Sequence, residues 1–207
     1  GGRVVANSLI FADGVRLTTR EEIPGPSARR EELWARVERA NIHPGYTLKA
    51  AQDPAFRYYA EANVHASDVW PLFCDLSRAL LGERGALLLA FKDDEPEQIV
   101  DAPVAAMLAA FEAHSDQLTH DGYIQFGIVS QTDAGLSEVL VTPSKYFRIW
   151  FNDERAFAGQ MVTHKLTRAE RLDFLDEFPH VTTRLPDERA LRAADLELAL
   201  VSELQGL

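Results

Sequence analysis

The chain has 207 residues, of which 46% are hydrophobic and 26% are charged, a balance that is typical of a globular protein with a buried core. No apolar run approaches the ~18 residues that a transmembrane helix needs, so we predict no membrane partner. The net charge of −11 argues against nucleic acid as the main partner, because phosphate backbones are bound by clustered Lys and Arg.

The cysteine content and the first residues bear on the cellular compartment. Cys74 is the only cysteine, which excludes an intrachain disulfide and a zinc site built from several thiolates. The sequence begins with Gly1-Gly2 rather than Met, as after processing or tag removal, so a removed signal segment stays an open alternative. We otherwise expect a cytoplasmic protein.

The charge is distributed unevenly along the chain. Residues 1–60 carry a net charge of +2, and residues 61–207 carry −13. This asymmetry favours a basic partner for the C-terminal two-thirds of the chain. The alternative is that the charge only keeps the protein in solution.

The first part of the chain is predicted to contain a short hairpin followed by a helix. Residues 4–11 are apolar enough for a strand, Asp13-Gly14 is a turn signal, and residues 15–18 could form the returning strand. The Pro- and Gly-rich segment 23–27 excludes regular structure. Residues 27–40 then repeat apolar side chains at helical spacing.

The middle of the chain alternates between strands and helices. We predict strands at 47–51, 56–65 and 86–91, and helices at 68–81 and from Asp101 to about His120. Residues 92–97 hold four acids and a Pro and are interpreted as a solvated loop.

The strongest β-sheet signal runs from Asp121 to Phe151. Residues 123–130 are rich in aromatic and β-branched side chains, residues 131–135 supply a polar turn with a Gly, and residues 136–142 form the returning strand. Pro143 interrupts the hydrogen-bond ladder because it lacks an N–H.

A third strand is predicted at residues 145–151, where side chains alternate between two faces of the sheet. We therefore expect a three-stranded antiparallel meander at about 121–151, at or near the centre of a sheet. Its core-facing side chains should be largely buried; they are Phe126, Ile128, Phe147 and Ile149.

After the meander we predict helices at 153–162 and 168–177, an extended segment or last strand at 178–185, and a C-terminal helix from Asp187. Many connections between strands are hairpin-like, which favours an α+β fold with a mainly antiparallel sheet and helices packed on it. We expect a single domain over residues 1–207, with residues 1–60 as a candidate smaller subdomain.

The densest cluster of titratable side chains comprises His114, Asp116, His120 and Asp121. On a helix Asp116 and His120 share a face, a spacing that could hold a metal or pair an acid with a base. His114 would point elsewhere, so we predict no bound metal and no cofactor. Cys74 is interpreted as a buried, inert thiol, and the sequence contains no nucleophile elbow, phosphate loop or dinucleotide fingerprint.

The other candidate site is the face of the third meander strand that carries Tyr146, Arg148 and Trp150. These residue types are enriched at binding hot spots, and Tyr123 and Gln125 alternate in the same way and could extend the surface. The alternative is that helices cover this face, with Arg148 reaching water or pairing with an acid.

The leading hypothesis is therefore a non-enzymatic, acidic α+β module that binds a partner protein through this face. Its size, charge and fold class are similar to those of immunity or antitoxin proteins, a similarity that extends to no motif. Two alternatives stay open. One is a small hydrolase that uses the His114–Asp121 cluster, and the other is a small-ligand pocket between the sheet and its helices.

Overall fold

The computed structural model describes residues 7–207, which form an α+β structure. A two-stranded ribbon consists of β1 (Val15–Leu17) and β9 (His180–Thr182). A seven-stranded sheet consists of β2 (Gly45–Ala50), β3 (Tyr58–Asn63), β4 (Arg84–Phe91), β5 (Glu97–Pro103), β6 (Ile124–Thr132), β7 (Gly135–Val141) and β8 (Phe147–Phe151). The helices are α1 (Ser27–Arg39), α2 (Ala66–Leu80), α3 (Val104–Glu112), α4 (Ser115–His120), α5 (Glu154–Thr163) and α6 (Ala193–Leu204).

The predicted meander forms the middle of the large sheet. The strand order is β2-β3-β8-β7-β6-β4-β5, and all neighbours run antiparallel. Strands β6, β7 and β8 therefore follow one another in sequence and in space. The four side chains predicted to be core, Phe126, Ile128, Phe147 and Ile149, are each 0% exposed. The α+β fold and its central meander are confirmed.

One face of this sheet is covered by helices, and the main core lies between the two layers. Helix α2 crosses the centre and contacts α5, while α3 and α6 cover the β4–β5 end. The largest buried side chains interlock by edge-on ring contacts, with ring centroids of Phe73, Phe111 and Phe126 4.9–5.9 Å apart. We call this side the helical face of the sheet.

Strand β5 was missed in the sequence, where residues 92–97 were interpreted as loop and Asp101 as the start of a helix. Residues Glu97–Pro103 instead pair with β4, and Ile99 and Val100 pack against the core. Pro103 ends the strand at the sheet edge, where its missing N–H interrupts no ladder. The helix predicted to reach His120 is also divided into α3 and α4, with a break at Ala113–His114.

The N-terminal hairpin prediction is wrong within the described residues. No strand is present at residues 7–14, the prediction for residues 4–6 lies outside the described residues, and β1 pairs with β9 rather than with its neighbour. Gly14 makes this arrangement possible because a Cβ there would lie 2.3 Å from the His120 carbonyl oxygen. Backbone contacts from Gly14 to Thr183 thus replace the predicted local turn.

Two C-terminal predictions also need correction. Residues 168–177 are not a helix; they are irregular apart from a short 3₁₀ turn at Leu175–Glu177. The Ala169 N–H donates to the Tyr46 carbonyl on the edge strand β2. The last helix begins at Ala193 rather than Asp187, because the preceding segment is held by side chains such as Gln117.

Candidate partner-binding surface

The second face of the seven-stranded sheet carries the residues that the sequence singled out. Along β8, Phe147, Ile149 and Phe151 are buried on the helical face, while Arg148 is exposed and Trp150 is half-buried on the opposite side. The strand register extends this second side across the sheet. We call it the open face; it comprises Lys49, Tyr59, Glu61, Ala86, Leu88, Gln125, Val129, Gln131, Glu138, Leu140, Arg148 and Trp150.

Three of these side chains form an ordered stack. The rings of Tyr59 and Trp150 face each other across β3 and β8, with centroids 5.2 Å apart. The Arg148 guanidinium lies 5.2 Å from the Trp150 ring and 5.8 Å from the Tyr59 ring. Cation–π contacts of this kind hold the arginine over the aromatic pair.

A small apolar cluster lies beside the stack. Ala86, Leu88, Val129 and Leu140 are 4–9% exposed, and Trp150 and Leu136 pack against them. All of these side chains come from strands of the sheet, so the cluster is shielded by its own neighbours rather than by a helix. The open face thus has an apolar centre next to an aromatic and cationic group.

Two carboxylates flank the arginine. Glu61 lies opposite Arg148 on β3, and Glu138 lies opposite Trp150 on β7. Within residues 7–207 neither carboxylate forms an ion pair within 4.0 Å, and Glu138 accepts no side-chain hydrogen bond. Burial raises the pKa of Glu138, and the nearby charge of Arg148 opposes this only in part. A half-buried carboxylate in this position would gain from a cationic hydrogen-bond donor.

The structure separates Tyr146 from Arg148 and Trp150, although all three alternate onto one side. The Tyr146 ring packs on Phe174 at 4.5 Å, and its hydroxyl donates to Asp176 at 3.0 Å. Residues 173–176 therefore cover this end of the open face, where burial raises the pKa of Tyr146. Tyr146 contributes to intramolecular packing there.

The two residues that were predicted to extend the surface have different surroundings. Gln125 is half-buried on the open face, opposite Ala90 of β4. Tyr123 precedes β6, and the Lys92 ammonium lies 5.0 Å from its ring centroid. Gln125 is therefore part of the open face, whereas Tyr123 lies at its end.

Three of the four residues of the alternative hydrolase site, Asp116, His120 and Asp121, make side-chain contacts with other parts of the chain. Asp116 accepts two hydrogen bonds from Arg189, and this pairing lowers the pKa of Asp116. His120 Nδ1 accepts the Asp13 N–H at 3.0 Å, and Asp121 accepts the Tyr123 N–H at 2.9 Å. His114 precedes α4 as its N-cap residue. The hydrolase hypothesis stays a prediction.

A histidine that the sequence did not single out is clamped by two acids. His164 follows α5, with Nδ1 2.9 Å from Asp68 Oδ2 and Nε2 2.7 Å from Asp75 Oδ2. Both ring nitrogens therefore lie within hydrogen-bond distance of a carboxylate, and the histidine ties the end of α5 to two positions of α2. The spacing of Asp68 and Asp75, seven positions apart on α2, could have indicated a shared helix face, but nothing local indicated His164.

A buried lysine was also missed. Lys145 is 5% exposed, and its Nζ donates to the carbonyls of Leu118 at 2.9 Å and Ile124 at 2.7 Å. Burial lowers the pKa of Lys145 to about 7. The residue joins the turn before β8 to the end of α4, with its backbone at φ +67°.

Comparisons with known proteins give no assignment for this geometry, because no family model, no curated protein and no solved structure matches the chain. Within residues 7–207, no group of three or more His, Cys, Asp or Glu side chains is arranged to hold a metal ion. No helix in the same range is long and apolar enough to cross a bilayer.

Proposed function

We propose that this protein is a binding module whose open face docks a partner protein with a basic surface. The observation that carries the proposal is the Tyr59–Arg148–Trp150 stack beside the apolar cluster of Leu88 and Leu140. Trp, Tyr and Arg dominate the energetics of protein interfaces when they lie next to a desolvated apolar centre.

The stack is held in place before any partner binds. Arg148 Nε donates to the Tyr59 hydroxyl at 2.8 Å, and both aromatic rings pack against their neighbours on the sheet. A surface whose long side chains are already ordered loses less conformational entropy on association. This supports a role in recognition over a role in stability alone.

The charge pattern supports a basic partner. Glu61 and Glu138 are half-buried next to the stack, and residues 61–207 carry a net charge of −13. A second copy of the chain would bring the same net charge and the same carboxylates to the interface, so like-charge repulsion would oppose it. A partner with Lys or Arg side chains would satisfy both carboxylates.

The experiment begins with two photo-crosslinking variants in the source organism. One carries a benzophenone side chain at Gln131, which is exposed on the open face, and the matched control carries it at Val162, which is exposed on α5. We expect a discrete crosslinked protein from the first site and not from the second. Equal capture at both sites would contradict the proposal.

The captured protein is then purified, and its affinity is measured against variants by titration calorimetry. Trp150→Ala should weaken the complex by about 2 kcal/mol, the magnitude of an interface hot spot, whereas Leu198→Ala, exposed on α6, should not change it. Higher salt should slow association more than it speeds dissociation. An unchanged affinity for Trp150→Ala, or a stable homodimer through this face in sedimentation experiments, would refute the proposed function.

A further inference from the structure

A second concave site lies in the helical layer, away from the open face. A groove of about 850 Å³ opens between α2 and α3, within the roughly 300–1,000 Å³ range of small-molecule pockets. Its walls include Trp70, Cys74 and Ser77 from α2 and Val104, Leu108 and Ala109 from α3. The function proposed above does not use this groove.

The sequence of the two helices explains why the groove is unfilled. Trp70, Cys74 and Ser77 recur at positions that share one helix face. On α3 the large side chains Met107 and Phe111 point into the core, where both are 0% exposed. The positions that face the groove include Ala105 and Ala109, which are exposed and short. Short side chains on one wall leave a space that no other described residue fills.

Ser77 contributes a hydroxyl to the lining of the groove, and this hydroxyl forms no hydrogen bond with the described part of the chain. The residue is 0% exposed, and its Oγ has no hydrogen-bond partner among residues 7–207. A buried hydroxyl without a partner is unfavourable and uncommon in folded proteins. An oxygen or nitrogen atom of a bound molecule in the groove would supply the missing partner.

The rim of the groove indicates the charge of that molecule. Glu83 and Glu112 line the rim, and neither forms an ion pair within the described chain. The one cation at the rim, Arg78, lies 3.7 Å from Asp75 and is partly neutralised by it. The Trp70 ring adds an aromatic surface that favours cations. The local field therefore favours a cationic ligand over an anionic one.

We propose that this groove binds a small organic amine that has an apolar body and one hydrogen-bonding group. The body packs between Trp70 and Leu108, the polar group pairs with the Ser77 hydroxyl, and the ammonium lies near Glu83 and Glu112. The site is independent of the partner-binding surface, so either can fail without the other.

The test uses three related probes and protein-observed ¹H–¹⁵N NMR titrations. Tyramine has the ring, a hydroxyl and an amine; phenethylamine lacks the hydroxyl; and para-hydroxyphenylacetate carries a carboxylate in place of the amine. We expect tyramine to shift resonances of α2 and α3, and para-hydroxyphenylacetate to bind at least about threefold more weakly because of the rim charge. No shift in α2 or α3 with tyramine up to roughly 10 mM overturns the site, and equal or tighter binding of the anion overturns the ligand class.

Substitutions in the groove then test the individual contacts with the bound amine. Ser77→Ala should weaken tyramine binding about fivefold to tenfold, the effect of one lost hydrogen bond, and leave phenethylamine unchanged. Ala109→Trp should fill the groove and abolish binding of both amines, while Val162→Trp on α5, 77% exposed, should leave them unaffected. Ala105→Trp serves as a second filling variant if Ala109→Trp does not fold. Binding that survives a folded filling variant places the amine elsewhere and overturns the proposal.

Discussion

The Arg148 guanidinium and the Tyr59 hydroxyl are joined by a hydrogen bond of 2.8 Å that runs diagonally across β3 and β8. In the strand register Tyr59 lies opposite Trp150, and Arg148 lies opposite Glu61. The arginine therefore leans away from the acid opposite it and lies over the aromatic pair. This contact orders the stack on which the proposed function depends.

The first prediction concerns this hydrogen bond. Tyr59→Phe removes the acceptor but keeps the ring, so we expect a loss of about 0.5–1.5 kcal/mol in the free energy of unfolding. The measurement is urea denaturation at neutral pH. A double-mutant cycle with Arg148→Ala should show a coupling energy of similar size. Additive effects of the two changes would mean that the contact contributes nothing.

The second prediction concerns the core of the meander. Phe147 is 0% exposed and adjoins the exposed Arg148 on β8. We expect Phe147→Ala to lower the free energy of unfolding by about 3–5 kcal/mol, because the truncation leaves a cavity that the sheet cannot close. Gln131→Ala, on an exposed position of β6, is the matched control and should change stability by less than about 0.5 kcal/mol. A similar decrease in the free energy of unfolding for both variants would contradict the burial of Phe147 in the core.

The third prediction concerns pH. The pKa of Lys145 is lowered to about 7 in the folded protein, whereas the unfolded chain has the ordinary lysine value of about 10.4. Between these values the unfolded state binds more protons, so the free energy of unfolding rises with pH. The neutral amine keeps two N–H donors, which match the two accepting carbonyls.

Lys145→Met isolates this effect from all other titrating groups. The stability of the natural protein minus that of the variant should increase from pH 7 to about pH 10 by a few kcal/mol. Denaturant titrations of both proteins at several pH values provide the measurement. If the free energies of unfolding of the two proteins changed with pH in the same way, Lys145 would stay charged in the folded protein.

The fourth prediction concerns the contact between α2 and α5. His164 has 7% side-chain exposure, and its two acids Asp68 and Asp75 have 32% and 38%. His164→Ala should lower the free energy of unfolding by about 1–2 kcal/mol, a reduced value because the carboxylates remain partly solvated. Asp75→Asn keeps one side-chain oxygen that can accept a hydrogen bond from His164, so it should lower the free energy of unfolding by less. If Asp75→Asn lowered the free energy of unfolding more than His164→Ala, the two carboxylate contacts of His164 would not explain its contribution.

The fifth prediction concerns Ser77 in the absence of any ligand. Because its hydroxyl is buried without a partner, Ser77→Ala should raise the free energy of unfolding by about 1 kcal/mol. Alanine also has the higher helix propensity. Thermal denaturation followed by circular dichroism measures the change. A lower melting temperature would indicate that the hydroxyl is satisfied in solution.

The faces of the strands could be predicted from the alternation of side chains in the sequence. Packing between segments that are distant in sequence could not. The side of β8 that holds Arg148 and Trp150 follows from period-two alternation, so their shared face was predictable. The covering of Tyr146 by Phe174 was not, because it depends on residues 173–176 packing on a strand far away in sequence. Likewise, the Ala-rich positions of α3 do not reveal a groove until α2 is placed beside them.

The errors in secondary structure have the same origin. Residues 97–103 lack a strong strand pattern and form β5 because the edge of β4 is available for pairing. A capping-box pattern opens the segment 168–177, yet its start forms a bridge to β2, where the Ala169 N–H donates to the Tyr46 carbonyl. In both segments tertiary pairing outweighs a weak local preference.

The pairing of β1 with β9 also affects the order in which the chain can fold. Gly14 and Thr183 are in contact across 169 positions of sequence, whereas the strands of the seven-stranded sheet lie between these points. Loop closure over such a distance is slow relative to the formation of hairpins. During synthesis the ribbon can close only after β9 has left the ribosome, when all seven strands of the large sheet have already been made. Strand β1 therefore stays unpaired with β9 while β2 to β8 are synthesised, and the ribbon forms after the strands of the large sheet are available.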